Sequence, residues 1–214
     1  MPLQLYEKEK ILDACFTVFV KNGYTHTTTA VLAESAGISK ALIFHHFKSK
    51  KALYLSVLER CFKNMESVVN DENMDDYTDY FEARSKSGYL RIEYLKKHQD
   101  VNKIILEAFY NTPDELKEDI QKFRAHMETK RGSIHDKRGM KLKELFDNIP
   151  MREGVDRALA YELVEIIMQH FNKKHLSEMV DEDKIMDKEF WQEFKEKKSL
   201  FLDMLRFGIE QKKD

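Results

Sequence analysis

The chain is poor in the residues that interrupt helices. Among 214 residues there are three prolines and seven glycines. So few breakers, with charged residues at 35%, exclude collagen-like and loop-dominated folds and favour long helices. There are two cysteines, Cys15 and Cys61, too few for a disulfide framework; a reducing, cytoplasmic setting is the simple expectation. No apolar run approaches the roughly 20 residues that cross a bilayer. The start, MPLQLYEKEK, has no apolar core of a secretory signal. No G-x-S-x-G, Walker A, GxGxxG, HExxH or Glu-x-x-His pattern occurs. Nucleophile-elbow hydrolases, P-loop enzymes, dinucleotide-binding enzymes and two common helical metal sites therefore lack their signatures. The sequence offers no cofactor site and no positive sign of catalysis.

What is present is helical periodicity and an uneven charge. The net charge is −2, but residues 1–55 hold seven lysines against four acids, a net +3, and the remainder carries −5. A basic front on an acidic body points to a polyanion meeting one part only. The fold class expected is all-α. Ile11, Leu12, Cys15, Phe16 and Phe19 predict a first helix over about 7–22, stopped by Asn22-Gly23. Thr28 can cap a short helix near 29–35 and Ser39 another near 40–46, with Gly37 supplying the tight turn between them. Two short helices about a glycine turn form a helix-turn-helix. A long helix follows over 50–70, its apolar stripe running from Tyr54 through Val57, Leu58, Cys61, Phe62 and Met65. The body predicts further helices near 76–97, 100–111, 114–147, 155–174 and 187–211. Gly132 and Gly139 mark the third of these as kinked or split.

Residues 11 to about 58 resemble the N-terminal domain of the tetracycline-repressor (TetR) family of bacterial transcriptional regulators. The resemblance is carried by Gly23, Thr28-Thr29, Leu32-Ala33, Ala36-Gly37-Ile38-Ser39, Ile43-Phe44, His46-Phe47, Lys48, Lys50 and Leu53. It implies a three-helix DNA-binding domain at 1–52 and a larger helical ligand-binding and dimerisation domain at 53–214. It implies a homodimeric repressor on a palindromic double-stranded operator, released by a small, partly apolar ligand. The DNA-contacting residues expected are Thr28, Thr29, Lys40, Ala41, Leu42, Phe44, His45, His46 and Lys50. Thr28 and Thr29 would face phosphate, and Lys50 would clamp another. Lys40 suits guanine, and Ala41 and Leu42 suit a thymine methyl group. Phe44 and Leu42 replace the family's usual Tyr and Ser or Thr, which shifts base readout toward Lys40 and His45. The adjacent His45 and His46 point about 100° apart on a helix, which does not suit joint chelation of one ion.

In the body, Phe62, Tyr94, His98, Phe109, Tyr110, Phe123, Met127, Met168 and Phe171 are candidates for an effector pocket, since Met and aromatic walls suit adaptable apolar ligands. Leu159, Leu163, Ile167, Phe201 and Leu205 are candidates for a dimer interface built from the last two helices. Asp71, Asn73, Asp75, Tyr77, Asp79 and Glu82 have calcium-loop spacing, but Asp76 replaces the required glycine and a plain acidic loop is the better reading. The basic run over 130–144 reads as a solvated helix face or loop. Two alternatives remain: a regulator of the same fold controlled by a protein partner, and a small helical metalloenzyme.

Overall fold

A computed structural model describes residues 2–70, 76–86, 89–131, 137–178 and 187–210. They form α1 (Pro2–Asn22), α2 (Thr29–Ser35), α3 (Lys40–Phe47), α4 (Lys50–Asn70), α5 (Tyr80–Lys86), α6 (Tyr89–Lys97), α7 (Gln99–Phe109), a 3₁₀ turn (Asp114–Leu116), α8 (Lys117–Arg131), α9 (Lys137–Asp147), α10 (Arg157–Glu178) and α11 (Lys188–Ile209). The chain divides into two packed units: residues 1–68 with 97–125, and residues 69–96 with 126–214. The front end is thus packed in one unit with α4, α7 and the first part of α8.

In the first unit, α1 buries Ile11, Leu12, Cys15, Val18 and Phe19, the expected i, i+4, i+7 face extended by one position. It begins earlier than the periodicity implied. It ends where Gly23 takes φ +70° and returns its N–H to the Phe19 carbonyl at 2.8 Å. Thr28 caps α2 by accepting from the Val31 N–H, and Ser39 caps α3 by accepting from the Leu42 N–H. Gly37 sits at φ +65° between them. Leu32, Ala33, Ile43 and Phe47 are the buried residues of the two short helices. From α4, Leu53, Tyr54, Val57, Leu58, Cys61, Phe62 and Met65 are buried, as the stripe predicts. Burial pushes both thiols, Cys15 and Cys61, up to about 12, so they behave as small apolar groups.

The second unit packs α5 on α9 and on α11, and α10 on α11. Arg157, at the start of α10, donates to the carbonyls of Phe146 and Ile149 at 2.9 Å and so satisfies acceptors left open where α9 ends. Arg84 pairs with Glu165 at 2.9 Å. The expected helix over 76–97 is two helices, α5 and α6, with residues 87–88 outside the described set. The expected helix over 114–147 is likewise α8 and α9, with residues 132–136 outside it. Of the calcium-like loop, Asp71, Asn73 and Asp75 lie outside the described residues. Asp79 accepts from the Glu82 N–H at the start of α5 and pairs with Arg206, and Glu82 pairs with Lys86. No helix among the described residues is long and apolar enough to cross a membrane.

Candidate nucleic-acid interface

Helix α3 is short enough for its faces to be assigned residue by residue. Ile43 and Phe47 are buried and fix the inner side. At about 100° per residue, Ala41 and His45 fall opposite them, and Leu42 and Phe44 flank that line. Burial agrees: Lys40, Ala41, Leu42, Phe44 and His45 are exposed, and His46 is half-buried. Two large apolar side chains, Leu42 and Phe44, stand in solvent at 38% and 46% exposure, beside an exposed Val31 on α2. Exposed apolar groups beside a small residue and a polar ring suit the methyl groups and edges of bases. The two imidazole rings lie 5.5 Å apart and nearly perpendicular; His46 also lies 6.1 Å from the Phe47 ring. His45 is therefore the outward-facing histidine and His46 the half-packed one.

Thr28 is exposed and Thr29 half-buried. The Thr28 oxygen already accepts from Val31 at 3.3 Å, yet its hydroxyl hydrogen remains a donor. Lys48 is exposed with φ 63° at the end of α3.

Lys50 has an internal role that the sequence did not suggest. Its Nζ donates to the main-chain carbonyls of Tyr24 and Thr27 at 3.0 and 3.1 Å. It lies 4.0 Å from the centre of the Tyr24 ring and 3.7 Å from Glu115. The next residue, Lys51, pairs with Asp119 at 2.8 Å. Two of the three Lys50 donors thus hold the turn that leads into α2.

The same turn is held from its other side by Glu107 of α7. The Glu107 carboxylate accepts from the Tyr24 N–H at 2.7 Å and from the Tyr54 hydroxyl at 2.8 Å. Burial first, and then the Glu107 charge, raises the Tyr54 hydroxyl well above the usual tyrosine range, so it stays protonated and keeps donating. Around this point Tyr54 packs edge to face on Phe19 and Tyr24, 5.1 Å from each ring, and those two rings are stacked 6.3 Å apart. No local sequence pattern singles out Glu107. Its partners lie 83 and 53 residues away, beyond the reach of any local pattern.

The candidate pocket residues divide between the units. Phe62, Phe109 and Phe123 form an aromatic group in the first, with ring centres 5.5 to 6.2 Å apart. Tyr110 is half-buried there. His98 lines a depression of about 390 Å³ with Phe16, Lys97, Gln99, Asp100 and Val101. Tyr94, Met127, Met168 and Phe171 belong to the second unit and are buried. Of the candidate interface residues, Leu159, Leu163 and Phe201 are exposed, and Ile167 and Leu205 are half-buried.

Residues 11–57 match the family model for bacterial regulatory proteins of the tetR family. Over 96 residues the chain is 35% identical to YvkB, an uncharacterized HTH-type transcriptional regulator of Bacillus subtilis, a stretch covering 45% of this chain and 49% of that protein. Over 72 residues it is 35% identical to IcaR of Staphylococcus aureus, the HTH-type negative transcriptional regulator of the biofilm operon icaADBC, covering 33% of this chain and 39% of that one. The chain thus aligns with about half or less of the length of these curated relatives. Among solved structures, MexZ, a repressor responsible for antibiotic resistance in Pseudomonas aeruginosa, is similar with a TM-score of 0.60 at 22% identity, covering 94% of each chain. FadR of Bacillus subtilis, solved with stearoyl-CoA, gives 0.55 at 19% identity over 92% of this chain and 96% of that one. The front end at 11–57 thus matches the tetR family of bacterial regulatory proteins, and the chain shares its fold with these solved structures over more than nine-tenths of its length.

Proposed function

We propose that this chain is a sequence-specific DNA-binding transcriptional regulator, a homodimer that represses from a palindromic operator and is released by a small ligand. The observation that carries the reading is the α2–turn–α3 unit: both helices are capped, their inner residues are buried, and Ala41, Leu42, Phe44 and His45 form a solvent-facing edge. In this reading α3 enters the major groove. Ala41 and Leu42 meet thymine methyl groups, and Lys40 and His45 donate to base edges. Thr28, Thr29 and His46 face phosphate, joined by the exposed Lys48. Lys50 acts on DNA through the turn it holds, because its ammonium is engaged by Tyr24 and Thr27.

Dimerisation is supported by a second feature. Helices α10 and α11 expose Leu159, Leu163, Ile166, Leu200, Phe201, Met204 and Phe207, a larger apolar group than scattered surface residues make. An effector is supported by the aromatic group Phe62, Phe109 and Phe123 beside α7, and by the ligand in the similar FadR structure. A partly apolar molecule wedged among these rings would act only through the difference between its affinities for the DNA-binding and released states.

The test is selection of a binding site from random duplexes, followed by a salt series on the selected and an unselected duplex. Specific binding with a steep salt slope is expected. Within that assay, His45→Ala should weaken the selected duplex roughly tenfold, in line with about 1–3 kcal/mol for a good base contact, and leave the unselected duplex nearly unchanged. Equal losses on both duplexes would make His45 a phosphate contact. No selected sequence at all would sink the reading.

A further inference from the structure

The turn between α1 and α2 is held by opposite charges from two different helices. Its acceptors, the Tyr24 and Thr27 carbonyls, are taken by the ammonium of Lys50 on α4. Its donor, the Tyr24 N–H, is taken by the carboxylate of Glu107 on α7, whose second oxygen accepts from Tyr54 on α4. The turn closes on itself through the Thr27 hydroxyl, which donates to the Gly23 carbonyl at 2.6 Å. The next residue, Thr28, is the cap of α2. Gly23 is the one place where the backbone makes room for this carboxylate. It stands at φ +70°, and a Cβ there would lie 2.8 Å from a Glu107 oxygen.

We propose that Glu107 is a positioning residue for DNA binding, a side chain through which α7 sets the attitude of the helix-turn-helix against α4. The proposal rests on the reading of the chain as a DNA-binding regulator. A carboxylate that accepts one main-chain N–H and one buried hydroxyl is sensitive to shifts of a fraction of an ångström, since hydrogen bonds weaken steeply with distance and angle. Glu107 also lies two residues before Phe109, whose ring packs 5.5 Å from Phe62. A molecule that parts those rings moves the helix turn that carries Glu107. The segment 97–125, which begins with α7, is flanked in sequence on both sides by segments of the second unit. The signal then reaches Thr28 through the turn residues 24–27, separately from any swing of α4.

The experiment uses the full-length protein and the duplex selected as above. Glu107→Ala should lower affinity for that duplex roughly tenfold, the usual scale for losing hydrogen bonds to a charged group. Glu107→Gln should restore it to within about threefold, because the amide oxygen can accept from Tyr24 and the amide nitrogen can donate to the Tyr54 oxygen. Tyr54→Phe should lower affinity alone but add little to Glu107→Ala, as expected for two groups in one contact. Amide exchange reports the cause: the Tyr24 amide should lose protection in Glu107→Ala while amides of α10 keep theirs. A loss of protection spread evenly over both units would mark a general loss of stability and overturn the proposal, as would unchanged affinity in Glu107→Ala. If the wild-type protein prefers no duplex, the regulator reading fails and takes this proposal with it; wild-type binding with an indifferent Glu107→Ala sinks the proposal alone.

Discussion

A chain carrying Leu163→Glu and Phe207→Glu is expected to stay folded, to run as a monomer, and to bind the selected duplex at least about a hundredfold more weakly than the parent. Linking two sites typically contributes 10²–10⁴ in avidity. The expectation follows from the two helices that carry the substitutions. On α10, Ala160, Val164, Met168 and Phe171 are buried, which accounts for one face at i, i+4, i+8 and i+11. Leu159, Leu163 and Ile166 make a second apolar line beside it and stand exposed. On α11, Trp191, Phe194, Leu202 and Ile209 face inward while Leu200, Met204 and Phe207 face out, with Phe207 at 71% exposure. A helix with two apolar faces buries both only against two partners, and the described residues cover one of them. Burying each outward side chain in a twofold contact is worth about 1.5–3 kcal/mol; a glutamate there must instead be desolvated. Because Leu163 and Phe207 stand exposed at 47% and 71%, outside the buried face, the subunit is expected to keep its packing. Light scattering behind a sizing column and titration of the selected duplex give the two readouts. A variant that remains dimeric with full affinity would mean that this face meets something other than its own copy.

Lys198→Met is expected to raise stability at neutral pH by on the order of 2 kcal/mol, and the advantage should shrink as pH rises. Lys198 lies on α11 at 3% exposure, and its Nζ donates to the Ser85 carbonyl at 2.7 Å. It also lies 5.1 Å from the Tyr89 ring. Burial, then the positive charges of Arg84 and Arg138, lowers its ammonium to about 7. In the unfolded chain the same group keeps its proton to about 10.4. Between those values the unfolded state binds more protons, so this residue makes stability rise with pH from about 7 upward, and below that its full cost is present. The clean window ends near pH 8.5. There the unfolded thiols begin to ionise, while Cys15 and Cys61 in the folded protein are held up to about 12, and that difference drives stability the other way. From pH 7 to 8.5 the gap between variant and parent should narrow by about 2 kcal/mol, at 1.36 kcal/mol per pH unit. Denaturant curves at three pH values within that range measure it; parallel curves would show that Lys198 is charged in the fold throughout.

The front end was legible because everything that shapes it is local. Thr28, Gly37 and Ser39 act on hydrogen bonds within four residues of themselves, and a cap or a left-handed glycine works the same way in any surroundings. The stripe of α4 was legible for a related reason: its burial has the period of one helix. The faces of α3 follow by rotation once Ile43 and Phe47 are known to be buried, but telling the exposed His45 from the half-buried His46 took the structure. Helix ends in the body were less legible. The expected segment 76–97 reads as continuous because charged helix formers dominate it, and propensity is a weak guide to where a helix stops, whereas Gly132 and Gly139 mark 114–147 as kinked or split.

Three assignments belonged to tertiary structure. Periodicity marks an apolar line but not its partner: on the last two helices Leu159, Leu163, Ile166, Leu200, Phe201, Met204 and Phe207 are exposed, while Ile167 and Leu205 are half-buried. Lys198 sits among charged residues in a stretch that reads as solvated, and only packing against α5 makes it a buried cation. Lys50, between Lys48 and Lys51, reads as one more base for a polyanion. The fold turns it onto the Tyr24 and Thr27 carbonyls, opposite a glutamate more than fifty residues further on. Sequence by itself placed the capped short helices of the basic front end and the stripe of α4, because those depend on neighbours along the chain. Which charges are buried, which apolar face is exposed and which side chains hold the turn between α1 and α2 depend on contacts between distant segments, and only the folded chain brings those together.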